Sequence, residues 1–307
     1  MFAAVLCTVL FSISAVCGHR SAKLIGGTEA NFWRVTTALV FLGVWSYGCG
    51  IGLSGQAFPL FLLSGIVGIG IGDVAYFQAL PRLGPRLSVL VIHCSTAPCG
   101  ALLEWLWLGT TFTVKQSLWG LAAISGVAIA LSREEHIKRP RRDLFYGALG
   151  CAVASVAGAA GAVLSRKAYT VSHLSNEAID AANAAFQRVV GGALLSGVWL
   201  LIVKRRALRV QSRAPYELVV EASKKKWRGV WFWILANSLA GQTIGVSFMQ
   251  RALETTPTGI VLSIIAVTPI VVIPLAVAFE NERPGVRSLL GALMAVTGVV
   301  GLIFSKS

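Results

Sequence analysis

Ten apolar runs set the terms for this chain, at about residues 2 to 18, 32 to 49, 57 to 80, 87 to 108, 115 to 132, 144 to 164, 183 to 203, 230 to 250, 258 to 279 and 288 to 304. Each approaches the roughly 17–25 residues that a helix needs to cross a bilayer. Inside hydrocarbon every backbone N–H and C=O must be satisfied within the chain, so runs of this length have to be helical. Most connections between them are short and carry Gly, Pro or Ser, and no stretch reads as a soluble domain. The expectation is an all-α integral membrane protein of ten transmembrane helices.

Composition agrees. The 307 residues are 55% hydrophobic and only 13% charged, against about 25% charged in a soluble protein. A net charge of +14 would suggest nucleic acid as the partner of a soluble chain. Here the basic residues gather in two loops, 133–142 and 204–228, which points to membrane orientation and anionic lipid instead of nucleic acid. Loops after odd-numbered runs hold 20 of the 27 Lys and Arg residues. By the positive-inside rule both long loops are cytoplasmic and both termini lie outside, in a multi-pass protein of the plasma (bacterial inner) membrane. The first run, Phe2 to Gly18, lacks a basic leader and a small-residue cleavage pattern, so it reads as a span and not a signal peptide.

Several chemistries lack their residues. Six cysteines stand without a CxxC pair or a histidine at metal-ligand spacing, so neither a disulfide framework nor a metal site is indicated. There is no P-loop, no GxSxG and no flavin or nicotinamide fingerprint. No cofactor is expected, and ATP-driven transport by this chain alone is not.

The two halves repeat one another. Phe32, Arg34, Val35, Gly43, Val44 and Trp45 recur at one constant offset as Phe186, Arg188, Val189, Gly197, Val198 and Trp199. Further on, Ala79-Leu80 matches Ala252-Leu253, Pro98 matches Pro269 and Gly120 matches Gly291. With five runs in each half, the second copy must enter the membrane upside down relative to the first. Inverted repeats are the architecture of alternating-access transporters. The expected units are a five-helix repeat over 1–132, a basic linker over 133–142 and a second five-helix repeat over 143–307.

The segment Gly72 to Ser132, with GDVAYFQALPRLGPRLSVL, Pro98 and WLWLGTTFTVKQSLWGLAAISGVAIAL, resembles one EamA-like unit of the drug/metabolite transporter superfamily. Gln242 to Ser305, with TTPTGIVLSIIAVTPIVVIPLAVAFENERPGVRSLLGALMAVTGVVGLIF, resembles a second. Glu280 and Glu282 lie near the acidic residue that commonly follows the fourth span of such a unit, whereas the first unit has Gly109-Thr110 there. The resemblance implies a ten-helix exporter or metabolite carrier with a cavity between its halves. It also implies both termini in the cytoplasm, opposite to the charge count. The first run holds no acid, so the membrane-embedded glutamate of the small multidrug-resistance branch is missing.

Repeat symmetry sorts the polar residues within the apolar runs. A group present in both halves serves the shared scaffold, and one present in a single half is a candidate for the substrate or a coupled ion. Arg34 and Arg188 are shared and are expected to snorkel from near their helix ends. Pro98 and Pro269, also shared, delete a backbone hydrogen bond each and are scaffold or gating features. Asp73 and His93 have no counterpart: the matching positions are Val246 or Gly245, and Ile264. A buried aspartate costs about 2.5–3.5 kcal/mol on insertion scales unless paired or protonated, so it is either functional or held by a partner such as Arg34. Tyr76 and Gln78 follow it. His93 lies near mid-span in the run Leu87 to Leu108, which also holds Thr96 and, three turns on, Glu104; the bland alternative is an imidazole bonded to a neighbouring serine, and Glu104 reaches the headgroups just as well. Gln242 and Thr243, near the centre of the eighth run, bind substrate by hydrogen bonds or join helices.

The first hypothesis is a secondary transporter, an exporter of a small metabolite such as an amino acid or related solute, with coupling to a proton or another ion and homodimerisation both open. The second is a membrane-embedded enzyme using His93 with Asp73 or Glu104 as acid and base. The third is a non-transporting scaffold with a packed centre.

Overall fold

The computed structural model describes residues 2–108, 114–131, 140–211, 227, 229–280 and 285–304. Among them every regular element is a helix, joined by turns such as 49–57 and 175–180, without a strand. Helices α1 (Phe2–Ile25), α2 (Gly27–Gly48) and α3 (Phe58–Gly65) lead into a π-helical segment, π1 (Ile66–Asp73), that continues as α4 (Val74–Leu108). After α5 (Val114–Leu131), α6 (Arg141–Leu174) and α7 (Ala181–Gln211), α8 (Val230–Asn237) is continued by π2 (Ser238–Thr243) and α9 (Ile244–Thr255). Helices α10 (Thr258–Ile265), α11 (Thr268–Glu280) and α12 (Val286–Phe304) complete the chain.

Among the described residues, five helices are long and apolar enough to cross a membrane, over Phe2–Ile25, Phe58–Gly100, Arg141–Leu174, Ala181–Arg205 and Thr258–Glu280. Leu118–Ala130 and Val286–Gly301 are apolar but shorter. Helix boundaries overrun the apolar runs: α1 continues to Ile25, α2 begins at Gly27 and α6 extends to Leu174. Backbone hydrogen bonding does not stop where hydrocarbon composition does, so polar first and last turns are missed by an apolar count. The third and fourth runs are joined through Gly84, whose φ of 79° is a conformation glycine adopts without a Cβ penalty.

The ninth run is broken at Ala266-Val267 between α10 and α11. Pro269 has no N–H for the Ile265 carbonyl, and the Thr268 hydroxyl donates to that carbonyl instead. Two more carbonyls near the break accept from α1: Ile264 from Thr8 Oγ1 at 3.3 Å, and Thr268 from Ser12 Oγ at 3.4 Å. Pro98, its counterpart, is carried inside α4.

Helices α2 and α7 pack antiparallel and exchange equivalent residues. A Cβ at Gly43 would lie 3.3 Å from the Phe186 ring, and one at Gly197 would lie 3.7 Å from the Phe32 ring. Gly43 matches Gly197 and Phe32 matches Phe186. Such reciprocal packing is what two copies produce about a twofold axis. The π segments fall at matching registers as well. At one end of the bundle the His19 ring nitrogen meets the Leu80 carbonyl at 3.0 Å, and at the other Arg166 Nη1 donates to the matching Leu253 carbonyl at 2.6 Å.

Close approach in the interior depends on glycine. A Cβ at Gly65 would collide with the backbone of Arg188, one at Gly191 with the Leu62 carbonyl, and ones at Gly126 and Gly291 with each other's helices, α12 and α5. Small residues of this kind let helix backbones approach where no hydrophobic drive separates protein from lipid. Gly48, by contrast, has nothing within 4 Å of an added Cβ. Gly65→Ala should therefore lower the melting temperature of the purified protein, at a cost of about 1–3 kcal/mol or more. Gly48→Ala should leave it within about 0.5 kcal/mol of the parent; equal melts for the two variants would refute the packing.

Candidate functional site

The polar centre is made by the two π-helical segments. A π turn holds an extra residue, widening the helix and re-aiming the side chains after it, and such turns occur often at functional sites. Asp73 is the last residue of π1, and Gln242 the next to last of π2. Gln242 Nε2 donates to Asp73 Oδ2 at 2.6 Å, so the two halves touch through these segments. Arg34 of α2 completes the centre with an ion pair from Nη2 to the same oxygen at 2.6 Å.

Arg34 is held from several directions. Its Nε donates to Asn31 Oδ1 one turn earlier at 3.1 Å, and Asn31 Nδ2 in turn donates to Ser196 Oγ of α7 at 3.2 Å. The guanidinium lies 4.4 Å from the centroid of the Phe77 ring, an arrangement favourable for a cation over an aromatic face. The Arg34 carbonyl accepts from Ser238 Oγ at 2.8 Å. The contacts with Asn31 and Phe77 restrict the rotamers of a long side chain and the Ser238 bond fixes its backbone, so the charge stays where the carboxylate needs it.

These groups line a cavity of about 150 Å³ between the helices. Arg34, Asp73, Tyr76, His93, Thr96 and Gln242 face it, and so do Ser14, Arg188 and apolar side chains from Phe11 to Ile265. The His93 ring stacks on Phe11 at 6.0 Å, and among the described residues no hydrogen bond joins it to a serine or to Asp73. Thr96 Oγ1 donates to the Ile92 carbonyl at 2.6 Å. The Ser14 hydroxyl donates to Asn237 Oδ1 at 2.6 Å, tying α1 to the start of π2.

Several sequence expectations change here. Arg34 and Arg188 do not snorkel: they are 4% and 3% exposed and point inward. Their helices begin at Gly27 and Ala181, so each arginine lies about two turns from its helix start, too deep for an easy reach to the interface. Gln78 leaves the cluster. Five residues beyond Asp73 it faces another direction, where Nε2 donates to Thr28 Oγ1 at 2.7 Å. Thr243 does not line the cavity, and its buried hydroxyl has no partner among the described residues. The side chain of Glu104 and the whole of Glu282, Gly109 and Thr110 lie outside the described residues.

Sequence reasoning missed Asn31, Ser14 and Asn237. Asn31 sits at the i−3 position to Arg34, a spacing that brings side chains together on a helix, and was open to being found. Ser14 and Asn237 meet only through the tertiary fold.

At one end of the bundle a second charged group closes over the helix ends. Glu280 accepts from Arg20 Nε at 2.6 Å and from Lys23 Nζ at 3.2 Å, with His19 Nε2 at 3.5 Å. At the opposite end Arg166 donates to the Leu253 and Glu254 carbonyls at 2.6 and 2.9 Å.

Comparison with known proteins agrees with this architecture. The family described as "EamA-like transporter family" matches residues 1–132 and 145–304. A solved structure titled "Crystal structure of protein" is 15% identical with a TM-score of 0.68, over 100% of this chain and 99% of that chain. At that identity it speaks for the fold alone. Comparison with curated proteins finds no match. Two family matches that together span nearly the whole sequence, laid over an all-helical bundle with a polar centre, show that the chain belongs to the EamA-like transporter family, a family of membrane transporters.

Proposed function

We propose that this protein is a secondary transporter that exports a small metabolite by alternating access between two inverted five-helix repeats, residues 1–132 and 143–307, through ten spans. The observation that supports the reading is the bond between Gln242 and Asp73, because it joins a membrane carboxylate without a counterpart in the second repeat to a residue of that repeat, beside a cavity. A solute bound there touches both repeats at once, so binding energy can bias their relative position.

Arg34, Asp73 and Gln242 act as the hub of this motion. When the halves rock, Gln242 parts from Asp73 while Arg34, on the same repeat as Asp73, keeps its carboxylate paired. The buried charges thus remain compensated in both states, as a low-dielectric interior demands. Ion or proton coupling, if the cycle uses it, runs through Asp73 or His93. The cluster of Arg20, Lys23, His19 and Glu280 gates the basic face, which is cytoplasmic in this reading. The enzyme alternative gains nothing from the geometry, since Asp73 is occupied by Arg34 and Gln242 and His93 stacks on Phe11.

In proteoliposomes loaded with a solute that stabilises the protein, Asp73→Asn should reduce concentrative transport to background while the protein still melts cooperatively. Gln242→Leu, which removes one hydrogen bond to a charged group, should slow transport about tenfold to a hundredfold. Transport unchanged by Asp73→Asn would remove this site from the mechanism.

Orientation has a built-in reporter in Cys49, which is exposed while Cys7, Cys17, Cys94 and Cys151 are buried. A membrane-impermeant maleimide should modify Cys49 in intact cells, and Cys49→Ser should abolish most of the signal. Labelling seen only in inverted vesicles would reverse the topology.

A further inference from the structure

The cavity holds two arginines and one carboxylate. Arg34 pairs with Asp73 at 2.6 Å, whereas Arg188 feels that carboxylate only from beyond ion-pair distance and forms no ion pair of its own among the described residues. Arg188 is 3% exposed and lines the cavity, and its Nε and Nη1 have no hydrogen-bond partner among the described residues. A guanidinium stays charged in proteins and carries five donors, and leaving such a group buried and unpaired costs several kcal/mol. The repeat explains how the vacancy arises. The position that matches Asp73 is Val246 or Gly245, neither of them an acid, and Val246 lines the same cavity with an apolar side chain.

The surroundings leave room for a ligand beside this cation. Gly68 places no side chain between Arg188 and the cavity: a Cβ there would lie 3.1 Å from Arg188 Nη2. Gly158, which also lines the cavity, has nothing within 4 Å of an added Cβ. The same cavity carries the aliphatic side chains of Ile69, Val246, Leu262 and Ile265. A volume of about 150 Å³ is enough for a body of roughly one six-membered ring.

We propose that the transported solute is a small organic anion whose carboxylate docks on Arg188 while its apolar body lies against Gly68, Gly158 and the aliphatic wall. This rests on the transporter reading above for the cavity as the place where solute sits, and adds the charge and class of the solute. The anion supplies the acid that the second half lacks, so the loaded cavity contains two balanced pairs, Arg34 with Asp73 and Arg188 with the solute. A planar carboxylate suits the guanidinium fork.

The test is thermal stabilisation of the purified full-length protein at constant ionic strength, with benzoate, butyrate and 2-oxoisovalerate set against benzamide and benzylamine. A carboxylate should raise the melting temperature where the amide and the amine do not. Arg188→Gln should weaken its apparent affinity roughly tenfold to a hundredfold, while Arg205→Gln, at an exposed position of α7, should have no effect. Should Arg188→Gln fail to fold, Arg188→Lys should retain part of the stabilisation and Gly158→Leu, which fills the space beside the cation, should abolish it. Stabilisation by the amine or amide in preference to the acids, or a carboxylate effect that survives Arg188→Gln, overturns the anion assignment and leaves the transporter reading standing. If none of the carboxylates shifts the melt, the anion assignment falls, while the transporter reading stands or falls on the Asp73→Asn transport assay.

Discussion

A charge inside an apolar bundle has to be answered by another charge, and the structure is arranged around one such answer, the ion pair of Arg34 with Asp73 at 2.6 Å. Breaking a buried pair by removing one partner leaves the other uncompensated and costs about 3–5 kcal/mol. Much of the surrounding geometry keeps the pair together: Asn31 and Phe77 hold the guanidinium, Gln242 holds the carboxylate, and Ser238 fastens the Arg34 backbone to π2. Because these residues come from both halves, the pair is also a place where the halves touch.

Backbone makes the meeting possible. Arg188 sits where Gly65 allows α7 against the rod of α3 and π1, and Gly191 and Gly192 continue that contact. Without those glycines the helices would stand further apart and the polar groups would not reach the cavity. The alternation of glycine through π1, at Gly68, Gly70 and Gly72, accompanies the widened turn that ends on Asp73. Packing and polar chemistry are therefore one design: small residues bring backbones close, and the closeness puts isolated charges within reach of partners.

The helical character of the chain was legible from the length of its apolar runs, since hydrocarbon admits few alternatives. The repeat was legible too, and the structure gives the reason: Phe32, Gly43, Phe186 and Gly197 are the residues that meet reciprocally between α2 and α7. Asp73 stood out because it breaks the repeat, and the partner suggested for it, Arg34, is its partner. The arginines themselves were misjudged. The run that holds Arg34 starts more than a turn inside α2, which begins in residues such as Gly27, Thr28 and Glu29, and α7 begins two residues before its run, at Ala181, so both arginines lie about two turns deep. Symmetry also misled in a subtler way, because Arg34 and Arg188 are equivalent as residues and unlike in their partners. Gln78 and Thr243 were grouped with their neighbours in sequence, while helical geometry turns adjacent residues by about 100° and separates them. The π segments, which set the final direction of Asp73 and Gln242, follow from tertiary packing and have no reliable signature in the runs themselves.

The central claim, a polar cavity that opens in turn to each face between two antiparallel halves, is tested most directly by two-sided accessibility. Thr96, which lines the cavity, is replaced by cysteine in a background without Cys7, Cys17, Cys49, Cys94, Cys99 and Cys151, and a membrane-impermeant maleimide is applied to right-side-out and to inverted vesicles. The account predicts labelling from both faces, slowed from both by a solute that fills the cavity. Labelling from neither face, or labelling only by a lipid-soluble reagent, would contradict it.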